Sequence, residues 1–489
     1  MSRTIKRPSY LQAALPLIAL ILMLAGSVYV FGADSSYGPN QIALLIAAAI
    51  AAGIALINGH RWVDIEEGIT NGISIALGAI LIILMVGALI GTWLVAGIVP
   101  TLIYYGLEIL SPTWFYAASC LICAIVSIAI GSSWTTAATI GVALIGVATG
   151  LDLSLPIAAG AVVSGAYFGD KMSPLSETTN LAPAVAGTEL FAHIRYMTWN
   201  SIPAFVISLL LFTVIGFNTS GVTNLDSLMA MQQELQSIFT INVLMLIPLA
   251  VLFTMAVMKL PALPTIFVGA LLGGVWALIF QPELVATLTP EVVDESWFGP
   301  VVGVWVALAE GTVIATENLD LESLLSGGGM VSMLNTVWLI LSAMTFGAVM
   351  DSTGLLRKLL QGLLKFIHTT GQLVTATLFT CFGVNILTAD QYMAIVLPGR
   401  MFREEYTRRG LDPRVLSRSL EDSGTLTSAL IPWNTCGAYM FAVLGVFPLA
   451  YAPFAFFLYL TPLIAIIYAF TDFKILRLND NQKSDEVYS

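Results

Sequence analysis

Apolar stretches long enough to cross a bilayer recur along the whole chain, and two of the longest are interrupted by runs of Ser, Thr, Asn and Asp. The hydropathy pattern predicts spans over 11–31, 41–57, 73–99, 198–217, 241–258, 262–280, 331–350 and 452–471. Between them lie two composite stretches per half. Residues 114–149 and 373–398 read as hairpins, and 155–187 and 416–447 as long crossings broken by polar residues. Residues 301–316 are apolar but carry Glu310 and adjoin Glu317, Asp320 and Glu322, which predicts a non-spanning or lateral helix.

The basic residues orient these elements. Arg3, Lys6 and Arg7, then Arg61, Arg195, Lys259, the 357–365 and 400–418 segments, and Lys474, Arg477 and Lys483 should be cytoplasmic. Loops 218–239 and 281–300 contain no Lys or Arg and should face outward. These assignments hold together only if each hairpin, full or re-entrant, enters and leaves on one side. The result is an all-α polytopic membrane protein built as an inverted-topology repeat with hairpins and discontinuous helices. Its expected parts are a first repeat over 1–217, an outward loop over 218–239, a second repeat over 240–471 and a cytoplasmic tail over 472–489, with both termini cytoplasmic. An offset of 252 residues relates Gly131 to Gly383, Thr136 to Thr388, Asp170 to Asp422, Ser173 to Thr425 and Ser176 to Ser428, although the Gly150-Leu151-Asp152 and Gly410-Leu411-Asp412 loops fall outside it.

Composition agrees: 57% of the 489 residues are hydrophobic and 10% charged, and the mean hydropathy is +0.89. The first stretch follows a basic start like that of a signal peptide, yet is expected to be a retained span. The net charge of -11 is placed in loops and breaks and leaves no nucleic-acid footprint. Cys120, Cys123, Cys381 and Cys436 read as buried packing residues, and His60, His193 and His368 as solvated loop residues. No Walker motif is present, so direct ATP coupling is not expected.

A carboxylate at the bilayer centre costs about 2.5–3.5 kcal/mol, which makes intramembrane acids functional candidates. Asp170, Glu177, Asp390 and Asp422 fall in or beside the breaks and are the candidate proton or ion carriers. Desolvation favours the protonated form and a bound cation the ionised one, so such a group can trade H+ for Na+. Oxygen ligands for a hard cation are supplied by Ser173, Ser176, Thr178, Thr179 and Asn180 in the first break and by Thr425, Thr427, Ser428, Asn434 and Thr435 in the second. The hairpin tips add Ser133, Thr136, Asn385 and Thr388. Two blander readings stand beside these: Lys171 neutralises Asp170 locally, and Glu421 is an interfacial acid. Asp351 reads as a helix-end residue.

The segments Gly165-Ala166-Tyr167-Phe168-Gly169-Asp170-Lys171-Met172-Ser173-Pro174-Leu175-Ser176-Glu177-Thr178-Thr179-Asn180 and Leu420-Glu421-Asp422-Ser423-Gly424, with Ile431-Pro432-Trp433-Asn434-Thr435-Cys436-Gly437, resemble the NhaC family of Na+/H+ antiporters. The resemblance implies a multi-pass secondary transporter of the cytoplasmic membrane that moves Na+ and H+ without a cofactor, surrounded by lipid and assembled as a homodimer with a moving transport unit. It also implies no enzyme activity. A branch of the family exchanges Na+ and lactate for malate and protons, so an organic-anion exchanger is the alternative, with Lys171 as its intramembrane cation. An intramembrane aspartyl protease is a third class, disfavoured because Gly165-Ala166-Tyr167-Phe168-Gly169 lacks a Gly-x-Gly-Asp spacing.

Overall fold

The computed structural model describes residues 5–219, 225–289, 298–316, 321–322, 325–364 and 367–478. Glu317 and Asp320, the basic residues Arg3, Lys365 and Lys483, and parts of both loops expected to face outward lie outside these residues. Nine helices among the described residues are long and apolar enough to cross a membrane. The only β pairings described are two isolated bridges, Thr312 with Gly327 and Leu411 with Arg477.

One group of helices surrounds Trp62–Val95, whose 34 residues extend roughly 50 Å, well beyond a bilayer core of about 30 Å. Ala262–Phe280 and Leu334–Ser352 pack along it, and Leu334–Ser352 in turn packs on Pro39–Ile57 and so toward Tyr10–Phe31. A second group is built on Pro112–Ile130 against Leu155–Met172. In lipid there is little hydrophobic gain from joining two helices, so close backbone approach must supply the contact. Gly165 and Gly169 provide it: a Cβ at either would stand 2.0 Å from the Cys120 carbonyl oxygen or 2.4 Å from that of Ala124. The Ser127 hydroxyl completes the seam by donating to the Ala166 carbonyl at 2.6 Å.

Both composite stretches of each half are present. The first hairpin is Pro112–Ile130 followed by Ser133–Gly150, and the second is Thr370–Thr388 followed by Gln391–Arg408. The first broken crossing is Leu155–Met172 and Glu177–Ala186. The second runs Pro413–Leu420, a π turn over Glu421–Thr425, a 3-10 turn over Ser428–Leu430, and Thr435–Leu444.

Several helix lengths and caps recur at an offset of 258 residues, where the letter identities follow 252. Pro112–Ile130 and Thr370–Thr388 each have 19 residues and end in left-handed caps at Gly131 (φ 76°) and Ala389 (φ 55°). The helices after the breaks, Glu177–Ala186 and Thr435–Leu444, each have 10 residues, with side-chain caps from Ser176 and Asn434 and left-handed closures at Gly187 and Gly445. At this offset Asp170 falls opposite Ser428 and Asp422 opposite Ser164. Identity matching had aligned similar letters, whereas the caps align similar backbone tasks. The helix Gly299–Ala309, in the 301–316 stretch, has 11 residues, about 16 Å, too short to span. It falls in register with Pro39–Ile57.

The segment expected as an outward loop, 218–239, contains the helix Leu225–Ile238. Its Gln236 donates to the Tyr104 hydroxyl at 2.9 Å, and Met231 and Leu235 are buried. After the last helix, Phe456–Phe470, residues 471–478 form a strap. Tyr196 donates to the Lys474 carbonyl at 2.6 Å, the Asp412 N–H to Leu476 at 3.1 Å, and the Leu478 N–H to Gly410 at 2.9 Å.

Candidate functional site

A cavity of about 700 Å³ lies where the first hairpin tip, the first break and the second hairpin tip meet the 259–262 turn. Asp170, Glu177 and Asp390 line it, and Lys259 is the only basic residue among its described lining.

Asp170 occupies the last turn of Leu155–Met172, where the chain leaves the helix and frees carbonyl oxygens. The Thr179 hydroxyl faces the Asp170 and Lys171 carbonyls at 3.3 and 3.1 Å. Asn180 Nδ2 donates to the Pro174 and Ser176 carbonyls. The break is therefore held by its own polar side chains. Ser133 begins the return helix of the first hairpin and donates both its N–H and its hydroxyl to Asp170 Oδ2, which also sets the positive end of that helix against the carboxylate. Gly131 makes the approach possible: its φ is 76°, and a Cβ there would lie 2.5 Å from Leu175 Cβ.

On the opposite side, Asp390 caps Gln391–Arg408 by accepting the Met393 N–H at 2.9 Å. Tyr392, in the first turn of that helix, donates its hydroxyl to Glu177. The Thr435 N–H donates to the Ala389 carbonyl at 2.9 Å, tying the second break to the tip.

Of the candidate residues, the structure gathers Ser133, Asp170, Ser176, Glu177, Thr178, Asp390 and Thr435 around the cavity. It leaves Thr136, Ser173, Thr179, Asn180, Asn385, Thr388, Thr425, Ser428, Asn434 and Asp422 off its lining. Several of these serve the backbone: Thr136 donates to Ser132, Thr388 to Val384 and Ser428 to Thr425. Asn385 Nδ2 donates to the Gly424 carbonyl at 2.7 Å and to Thr427 Oγ1 at 3.0 Å, and Asn434 Nδ2 donates back to Asn385 Oδ1 at 3.1 Å. These bonds cover the Gly424 carbonyl freed in the second break. No three His, Cys, Asp or Glu side chains among the described residues converge as a metal site.

Behind the cavity is a buried charge cluster that differs from expectation. Lys171 does not neutralise Asp170; its ammonium makes an ion pair with Asp422 at 2.8 Å, both side chains fully buried. Asn200 donates to the other Asp422 oxygen at 2.7 Å, and Arg418 Nε stands 3.8 Å from it. Glu421 is not interfacial: it is fully buried and accepts from Thr178 at 3.1 Å. Arg418, expected at the end of a cytoplasmic segment, is also fully buried, with its guanidinium 4.6 Å from the centre of the Tyr196 ring. His193 is a helix residue, wholly buried, with Nδ1 2.7 Å from the Ser417 hydroxyl. The i, i+4 spacing of Arg418 and Asp422 was the available signal for that pairing. Asn200 and Tyr392 carried none. The four cysteines are free and buried.

Residues 165–473 match the family model described as the Na+/H+ antiporter family. The chain is 40% identical over 434 residues to the malate-2H(+)/Na(+)-lactate antiporter of Bacillus subtilis (strain 168), covering 88% of this chain and 89% of that protein. It is also 40% identical over 432 residues to the Na(+)/H(+) antiporter NhaC of Alkalihalophilus pseudofirmus, with the same coverage of 88% and 89%. The arginine/ornithine antiporter ArcD of Halobacterium salinarum is 36% identical over 488 residues, 98% of this chain and 96% of that protein. With a family match over most of the sequence and relatives aligned almost end to end, the chain belongs to the Na+/H+ antiporter family, as its NhaC-like motifs implied.

Proposed function

We propose that the protein exchanges Na+ for H+ across the cytoplasmic membrane by alternating access, with Na+ leaving as protons enter. The carrying observation is the cavity in which Asp170, Glu177 and Asp390 meet a single described lysine. Such a lining attracts cations and repels anions. In this reading Na+ is held at Asp170, with hydroxyl and carbonyl oxygens from the Ser133 tip and the Ser176 to Thr178 turn. Proton and cation then compete for the same carboxylate.

In this reading the two halves are an inverted repeat and both termini are cytoplasmic. Lys259 then lies on the inner side, so the cavity is the inward-open mouth of the pathway. A homodimer with the hairpins and broken crossings as the moving unit completes the proposal. Exchange of an organic acid is less supported, because Lys171, its proposed anchor, is absent from the cavity lining and engaged by Asp422.

The test is proton flux in proteoliposomes of the purified protein, followed with a pH-sensitive dye while Na+, Li+, K+ or malate with lactate is added. Flux on Na+ alone, lost in Asp170→Asn, supports the proposal. Flux that starts only with the organic acids overturns it.

A further inference from the structure

Lys171 and Asp422 lie on different broken crossings, 251 positions apart in the chain, and meet at 2.8 Å with no exposure on either side. Asp422 is engaged at both oxygens. Oδ1 faces the Lys171 ammonium; Oδ2 accepts from Asn200 at 2.7 Å and has Arg418 at 3.8 Å. The Lys171 ammonium is also 3.3 Å from Met197 Sδ. Met197 and Asn200 both belong to Leu190–Asn218, so three elements converge on one charge pair. Neither charged residue lines the cavity, and at the 258-residue offset Asp422 falls opposite Ser164, not Asp170.

We propose that Lys171 and Asp422 are positioning residues: a fixed ion pair that fastens the two breaks to each other and to Leu190–Asn218, with Asp422 carrying neither cation nor proton. This rests on the exchange reading for its assay, not for its logic. A carrier must release one partner to take another, and Asp422 already has a buried ammonium at one oxygen and a buried amide at the other, so a cargo ion would have to displace one of them. The cluster would instead keep the geometry of the Asp170 turn, since Lys171 is the next residue and its carbonyl accepts from Thr179.

The experiment follows from the asymmetry of buried pairs. Removing one member strands a charge, whereas removing both takes out one positive and one negative charge together and leaves the net charge of the cluster unchanged, with Arg418 still buried beside it. In reconstituted protein, Lys171→Met and Asp422→Asn should each reduce Na+-driven proton flux by at least about tenfold. The double variant Lys171→Met/Asp422→Asn should recover to within about threefold of the wild type, with its half-saturating Na+ concentration and pH profile unchanged. A folded double variant that remains inactive, or that recovers rate only with a shifted half-saturation or pH profile, overturns the proposal.

A second measurement needs no variant. Wild-type protein is treated with a hydrophobic carbodiimide, which reacts with protonated carboxyls, and the modified residues are mapped by mass spectrometry with and without Na+. Asp422 should stay unmodified from acid to alkaline pH. Modification of Asp422 that Na+ suppresses overturns the proposal even if the double variant does not fold. Rescue is scored against the wild type's own flux, so a wild type inert to Na+ alone would sink the exchange reading separately.

Discussion

Ser133 places its backbone N–H at 3.0 Å and its hydroxyl at 2.6 Å on the same oxygen of Asp170. The backbone contact survives any substitution that keeps the hairpin tip in place, but the hydroxyl contact does not. A hydrogen bond to a charged group contributes about 1.5–3 kcal/mol, so Ser133→Ala removes about that much support from the ionised, cation-binding form. Half-saturating Na+ in the proteoliposome assay should rise by about tenfold or more, while the thermal unfolding midpoint stays close to the wild type. An unchanged half-saturation would separate Asp170 from cation binding.

Asp390 combines a charge in the cavity with a capping bond to Met393, and two substitutions separate them. Asn caps as well as Asp, whereas Ala costs about 1 kcal/mol. Asp390→Asn should keep the wild-type unfolding midpoint and lose transport rate. Asp390→Ala should lose both. Full transport by the Asn variant would reduce the role of Asp390 to the cap alone.

Gly131 and Gly383 are paired in the 252 register but sit in opposite circumstances. A Cβ at Gly131 meets Leu175 Cβ at 2.5 Å with a φ of 76°, while one at Gly383 meets nothing within 4 Å. Gly131→Ala should cost about 1–2 kcal/mol from the left-handed backbone alone and should abolish flux by lifting the tip off the break. Gly383→Ala, inside a helix, should be neutral or stabilising by about 0.5–1 kcal/mol. Thermal unfolding in detergent and flux measured on the same preparations check both.

Asn385 joins the Gly424 carbonyl, Thr427 and Asn434 in one buried network. Asn385→Ala leaves several of these groups unpaired, each at about 1–3 kcal/mol. The expected result is a large loss of thermal stability, with any residual flux showing the wild-type preference among cations. A changed preference at normal stability would instead make Asn385 an ion ligand.

Much of the architecture was legible in the sequence because it depends on local hydropathy. The span predicted over 262–280 coincides with Ala262–Phe280, and both hairpins and both breaks occur where apolar runs gave way to Ser, Thr and Asp. The register was not legible, because Ser132 and Asp390 perform the same capping task with different side chains. Nor was the charge cluster. Lys171 and His193 acquire their partners, Asp422 and Ser417, only through folding across more than two hundred positions. A window of sequence sees His193 and Arg418 as flanks of basic segments, while their burial is a property of the helices packed over them.

The strap over residues 471–478 turns the end of the chain into a closed ring. Its bonds to Gly410 and Asp412 join the last helix to the entrance of the second broken crossing, and the Tyr196 bond adds Leu190–Asn218 to the same knot. Those three elements are geared together at that end: none can swing without dragging the others or first opening the strap. A deletion back to Phe470 would cut the ring and leave Pro413–Leu420 as an open arm. For anyone building a tagged or fused version of this protein, the safe junction is therefore after Leu478, since an insertion a few residues earlier would break the bonds that hold the entrance of the crossing that bears Asp422.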